Sequence, residues 1–240
     1  MFQALTRSFF LTSLLAIPTM AQETSTTPTL SEQLAEKAAG FAKQAPADRL
    51  ATFAKGISRV RDSGIEKSAK QVGDDAVDGT LQGWTGNSVT LSKLWSEGPV
   101  VLMWYRGGWC PYCNLQLRAM QQSLDKIEDA GAKLIVLTPE LPERAKETAE
   151  ASGISIVALH DKDLALAKLY GIVFELPDVI APMYQSRLPK YNGNDAMELP
   201  LSATYVINSS GKITYAFLDA DYKKRAEPSD VIAAVKAAVK

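Results

Sequence analysis

Apolar residues recur along this chain with two periods, and the alternation between them lays out its elements. Val100 to Tyr105 is six apolar residues without alternation, the pattern of a strand covered on both faces. Lys133 to Thr138 and Ile154 to Leu159 predict two further buried strands. After Asn114, residues Leu117, Met120, Leu124 and Ile127 return at three- and four-residue steps, which predicts a helix with one packed face. Pro142 to Ser152 predicts a charged surface helix, with Pro at its start and Gly153 at its end. Asp163 to Tyr170 predicts a short helix closed by Gly171. Thr204 to Ile207 and Lys212 to Leu218 flank the turn Asn208-Ser209-Ser210-Gly211 as a hairpin. Pro228 to Val239 is a closing helix with Val231, Ile232 and Val235 as its stripe. Two stretches lack a period. Gly73 to Asn87 is turn-rich, and Pro177 to Pro200 is either a flap over a site or an ordered surface excursion.

Leu30 to Lys70 carries the helical period twice. Leu34, Ala38 and Phe41 share one face; after Pro46, Leu50, Phe53, Ile57 and Val60 share another. Asp48 stands near the second start as a candidate cap, and Gly64 is a stop. Upstream, Arg7 is the single charge before Glu23, and an apolar run from Ser8 to Ile17 leads to the small residue Ala21. That pattern predicts a signal peptide over 1–21, since the run is roughly half the ~20 apolar residues a spanning helix needs. Residues 22–29 are polar and read as a flexible linker, 30–70 as an N-terminal helical extension and 71–240 as the main domain. The expectation is an exported protein, periplasmic or secreted, without a stable membrane anchor.

Strand–helix alternation followed by a hairpin and a helix gives an α/β sandwich with a mixed central sheet. The charge balance, 26 basic against 27 acidic residues, offers no basic excess to attract nucleic acid.

The chemistry concentrates between the first buried strand and its helix. There the turn Arg106-Gly107-Gly108 leads into Trp109-Cys110-Pro111-Tyr112-Cys113. A helix N-terminus stabilises a thiolate through unpaired N–H groups and the macrodipole, so Cys110 and Cys113 are candidate catalytic thiols. Position favours Cys110 as the more exposed and more acidic of the two. A zinc site of this spacing needs a second ligand pair, and the chain has only these two cysteines and one histidine, His160. A static disulfide that stiffens the turn is the bland alternative. Arg106, four residues before Cys110, is placed to hold a thiolate or another anion by charge, or else is a surface arginine that screens the turn. Trp109 shields the thiols from water or simply packs.

Tyr105 to Asn114, Thr204-Tyr205-Val206-Ile207 and Asp221 to Pro228 (DYKKRAEP) together resemble the peroxiredoxin-like (AhpC/TSA, redoxin) branch of the thioredoxin superfamily, over most of 65–239. The resemblance implies a thioredoxin-like sandwich. It implies a thiol peroxidase that reduces hydrogen peroxide or organic hydroperoxides through a Cys110/Cys113 dithiol–disulfide cycle. A thioredoxin-like dithiol is the implied reductant, and no cofactor is implied. The peroxiredoxin motif Pro-x-x-x-Thr-x-x-Cys, laid on this chain, puts its reactive cysteine at Cys113, its threonine at Cys110 and its proline at Arg106. The superfamily's proline facing the disulfide falls near Ser202, and Ala76-Val77-Asp78 stands where relatives have Ala-Pro-Asp. The alignment thus favours Cys113 as the peroxide-reactive thiol where position favours Cys110. The alternatives are an exported thiol–disulfide oxidoreductase acting on protein disulfides, a thioredoxin-fold copper carrier using His160, and a non-catalytic module.

Overall fold

The computed structural model describes residues 28–239. The segment read as a signal peptide and most of the linker lie outside the described residues. Pro46 separates α1 (Leu30–Gln44) from α2 (Ala47–Asp62), and a short α3 (Ile65–Ser68) follows Gly64. Thr29 and Glu32 form a capping box at the start of α1. Asp48, a candidate cap, lies instead in the first turn of α2, which begins behind Pro46 without a side-chain cap.

The remaining elements, in chain order, begin with β1 (Thr80–Gly83), β2 (Ser88–Thr90), α4 (Leu91–Glu97), β3 (Val100–Trp104), α5 (Pro111–Gln122) and α6 (Leu124–Asp129). There follow β4 (Lys133–Thr138), α7 (Pro142–Ser152), β5 (Ala158–His160), α8 (Ala165–Leu169) and β6 (Val173–Glu175). The chain then runs through α9 (Leu188–Asn192), β7 (Glu198–Pro200), β8 (Thr204–Ile207), β9 (Ile213–Phe217) and α10 (Pro228–Ala238). Seven strands form one mixed sheet in the order β2-β1-β5-β4-β3-β8-β9, with β3, β4 and β5 parallel and the others antiparallel to their neighbours. β6 and β7 form a separate antiparallel pair.

β3 is buried along its whole length, and its alternate side chains feed two cores. Val101 and Met103 pack with Leu117 and Met120 of α5 and with Val231 and Val235 of α10. Val100, Leu102 and Trp104 face the other way, into a core with Tyr170, Tyr205 and Ile65. On that side the Asp161 carboxylate accepts from Trp104 Nε1 at 2.9 Å and from the Leu166 and Ala167 N–H groups at 2.8 and 3.0 Å. It therefore satisfies the orphan donors of α8 and the indole together.

Several boundaries differ from the periodicity, each for a local reason. The third buried strand starts at Ala158, because Ser155 and Ile156 donate their N–H groups to the Gln121 side chain rather than to a neighbouring strand. The helix after Asn114 breaks at Ser123 into α5 and α6. The helix expected from Asp163 starts at Ala165, since Asp163 and Leu164 hold φ of 54° and 57°. Within the turn-rich stretch, β1 is a strand whose buried Leu81 alternates with exposed neighbours.

Residues 177–200 are ordered over the site's edge. Leu176, Ile180, Tyr184, Leu188 and Leu199 form a third apolar cluster, against which Phe53 and Trp109 pack. Ile180 sits so close to α2 that a Cβ on Gly56 would lie 2.9 Å from its Cγ2. The extension is tied down from the other end. The Glu227 carboxylate accepts from the Leu30 and Ser31 N–H groups, both at 2.9 Å, and from the Ser31 hydroxyl. This acid occupies the positive end of α1 although it comes from the far end of the chain.

Candidate active site

β3 ends at Trp104, and the chain turns sharply into α5. Gly107 has φ of 144°, and a Cβ there would meet Trp109 Nε1 at 2.2 Å; a Cβ on Gly108 would meet Thr148 Oγ1 at 1.9 Å. Only glycines fit this corner. The Cys110 N–H donates to the Gly107 carbonyl at 3.0 Å, and Asn114 Nδ2 donates to the Gly108 carbonyl at 2.8 Å. Cys110 is the N-cap of α5, Pro111 opens the helix, and Cys113 lies within its first turn. Both thiols are free in this structure.

The pKa values of the two thiols are shifted in opposite directions. Burial pushes Cys113 up, yet its pKa lies well below the ordinary thiol value. The Cys110 thiol donates to it, the Arg225 and Arg106 guanidiniums lie close, and the Arg106 backbone N–H points at it. Arg225 Nη2 donates to Cys113 Sγ at 3.3 Å. Cys110 is raised well above the ordinary value, first by that hydrogen bond to Cys113, then by burial and by the adjacent charge. Cys110 is the more exposed thiol as expected, though only at 2% against 0% for Cys113. The expectation that it is also the more acidic is corrected, because both thiols share the helix terminus and the bond from Arg225 goes to Cys113.

Arg106 is buried rather than screening a surface turn, at 3% exposure. Its guanidinium lies 4.8 Å from the Tyr222 ring centroid and 5.2 Å from that of Trp109. Trp109 is half-buried and stands edge-on to Tyr184, 5.4 Å between centroids. Both arginine and tryptophan thus join the cysteines in one site.

Behind the turn sits Glu140, fully buried. Its carboxylate accepts from the Gly108 N–H at 2.8 Å and from the Tyr105 hydroxyl at 2.9 Å, pinning the corner to the end of β4. Burial pushes its pKa up to about 7, against the two hydrogen bonds that favour the anion.

Sequence reasoning passed over Arg225 and Glu140. The DYKKRAEP segment stood out, but nothing in it separates Arg225, which folds inward, from Lys223 and Lys224 beside it. Ser202, near the position of the superfamily's proline, is buried. His160 ends β5, half-buried and lowered in pKa by that burial. It does not line the cavity at Cys110, and the described residues hold no group of three or more acidic, histidine or cysteine side chains arranged for a metal ion.

The AhpC/TSA family profile matches residues 72–216. The chain belongs to the AhpC/TSA family. Among curated relatives, it is 25% identical to the chloroplastic peroxiredoxin Q of Triticum aestivum over 174 residues, covering 72% of this chain and 71% of that one. It is 26% identical to the thiol-disulfide oxidoreductase ResA of Halalkalibacterium halodurans over 108 residues, 45% of this chain and 60% of the relative's length. Among solved structures, peroxidoxin BcpB from Mycobacterium tuberculosis superposes with a TM-score of 0.55 at 20% identity, over 70% of this chain and 97% of the other. A peroxiredoxin-like protein from Aquifex aeolicus gives 0.57 at 16% identity, over 71% and 89%. This AhpC/TSA chain therefore has the thioredoxin-like peroxiredoxin fold expected from its sequence. Residues 30–62, which form α1 and α2, precede the family match.

Proposed function

We propose that the protein is a peroxiredoxin-like thiol peroxidase in which Cys113 is the nucleophile and Cys110 the resolving thiol. The observation that carries this reading is the Arg225–Cys113 contact, which stabilises a buried thiolate at the position that the peroxiredoxin motif gives its reactive cysteine. The Cys113 sulfur attacks the distal oxygen of a hydroperoxide, the O–O bond breaks, and the alkoxide or hydroxide leaves with a proton. The resulting sulfenic acid is attacked by Cys110, water departs, and a Cys110–Cys113 disulfide closes. Two electrons from an external thioredoxin-like dithiol restore both thiols by exchange at the disulfide. The leader pattern further supports export to the periplasm or beyond, with a mature N-terminus at Gln22, which N-terminal sequencing of exported protein tests.

Mass spectrometry of the reduced protein after one equivalent of hydrogen peroxide tests the cycle. The expected product is an intramolecular disulfide, with peroxide consumed stoichiometrically and catalytically once a dithiol is supplied. Protein that consumes no peroxide yet reduces insulin disulfides would overturn the peroxidase reading in favour of thiol–disulfide exchange.

A further inference from the structure

The segment Asp221 to Pro228 brings two lysines beside Arg225 that the thiol chemistry leaves unused. With α1 and the end of β9 it builds a cavity of about 300 Å³, and no residue of the dithiol corner lines it. Leu34, Ala35 and Ala38 of α1 and Phe217 of β9 make an apolar wall. Lys223, Lys224 and Arg225 supply its charge. Because α1 precedes the family match, the family fold alone does not form this cavity.

No lining residue is acidic. Lys223 and Lys224 are compensated, by Asp221 at 3.4 Å and Asp219 at 3.1 Å. Glu227, bonded to the lining residue Ser31, is engaged by the first N–H groups of α1. Arg225 differs from all of these. It is 4% exposed, and among the described residues no carboxylate pairs with it. Its Nη1 donates to two backbone carbonyls and its Nη2 to Cys113 Sγ, while its Nε–H has no partner. A buried guanidinium N–H without an acceptor is costly, and a ligand oxygen removes that cost. Nε and Nη2 share one edge of the guanidinium, the edge that a carboxylate takes side-on with two parallel hydrogen bonds.

We propose that this cavity is an effector site for a small organic carboxylate with a short apolar body, the carboxylate on the Nε–Nη2 edge of Arg225 and the body against Leu34, Ala38 and Phe217. An apolar cavity of roughly 150 Å³ accepts a benzene ring, so this one has room for a chain of several carbons or a single ring. Occupancy regulates the thiol. The ligand competes with Cys113 for Nη2 and places a second negative charge beside the sulfur, which disfavours the thiolate. The coupling is reciprocal, so raising the thiol pKa by about one unit means about tenfold weaker binding to the thiolate form. The other charged and titratable groups facing the sulfur are Cys110, Arg106, Glu140 and Tyr105. Those facing the guanidinium are Tyr112 and the two lysines with their acids.

Calorimetric titration of the reduced protein at neutral pH with hexanoate, hexanol and inorganic phosphate tests the site. Hexanoate should bind about tenfold more tightly than either of the others. Ala35→Trp, at an exposed position of α1, should fill the cavity and weaken hexanoate by about tenfold. Hexanol or phosphate binding as tightly as hexanoate, or hexanoate binding that Ala35→Trp leaves unchanged, overturns the proposal. The coupling has its own readouts. Saturating hexanoate should raise the midpoint of the iodoacetamide profile by about one pH unit, and Cys113→Ser should bind hexanoate about tenfold more tightly than wild type. An unmoved profile, or equal affinity in Cys113→Ser, overturns the regulatory role. Neither measurement uses a peroxide, so the proposal stands or falls separately from the peroxidase reading.

Discussion

Arg225 donates to the sulfur of Cys113 across 112 residues of sequence, at 3.3 Å. Its other terminal nitrogen donates to the carbonyls of Tyr222 and Lys224, so the guanidinium is pinned from two sides. Because this cation is buried beside Cys113, it stabilises the charged form of that thiol.

Arg225→Ala should therefore move the Cys113 alkylation profile upward by about one to three pH units. Arg106→Ala should move it in the same direction but less, since Arg225 is the larger influence. Arg225→Lys should keep part of the effect, because charge is retained while the fork is lost. Iodoacetamide kinetics against pH provide the measurement. An unchanged profile in Arg225→Ala would assign activation to Arg106, Cys110 and the helix terminus.

The opposite shifts of the two thiols predict different roles for them. Cys113→Ser should lose peroxide reduction entirely, single turnover included. Cys110→Ser should still consume one equivalent and accumulate a sulfenic acid that dimedone traps, while sustained turnover disappears. The reverse pattern, with trapping in Cys113→Ser, would exchange their roles.

Glu140 makes stability depend on pH with a definite sign. Its folded pKa of about 7 lies above the ordinary 4.5, so the folded state binds the extra proton between those values. Stability is then greatest below the lower value and declines as pH rises to about 7, by roughly 3 kcal/mol in all at about 1.4 kcal/mol per unit. Glu140→Gln should flatten that decline. Urea midpoints at pH 5, 6 and 7 in a Cys113→Ser background, which removes the thiolate, provide the check. A slope as steep in Glu140→Gln as in its parent would place the titration elsewhere. With both cysteines present, Glu140→Gln should also lower the Cys113 pKa further, since a negative neighbour is removed.

The contact between Glu227 and α1 should hold the N-terminal extension in place. Hydrogen bonds to a charged partner contribute about 1.5–3 kcal/mol each, so Glu227→Ala should loosen α1 substantially. Amide exchange over residues 30–44 should accelerate by about ten- to a hundredfold, while β3 and β4 keep their protection. Unchanged exchange would mean that Leu30 and Leu34 alone anchor the helix.

The elements legible in the sequence are those whose period or punctuation is self-contained. β4, α7 and β8 occupy the residues that the hydropathy marks, because each buries a complete face and is bounded by its own stops. The dithiol corner was equally plain: glycines, C-x-x-C spacing and a helix starting at proline all lie within ten residues. β1 was not, because half of its four residues face solvent and, of its two partners, the short β2 carries no alternation of its own and β5 lies far along the chain. Nor did periodicity reveal that Ser155 and Ile156 satisfy their N–H groups on a side chain of α5 rather than in the sheet.

What sequence alone determined is the dithiol corner and the fold that carries it, since both follow from neighbours along the chain. Which cysteine bears the charge was decided by tertiary structure. The helix terminus acts on both thiols, and the contact that distinguishes them comes from Arg225, brought in by the segment before α10. The aromatic cavity at Cys110 has the same origin, with walls drawn from α1, α2, the dithiol corner, Tyr184 and Tyr222. Burial sets the strength of a charge or a ring contact, and burial depends on residues that only the folded chain places side by side.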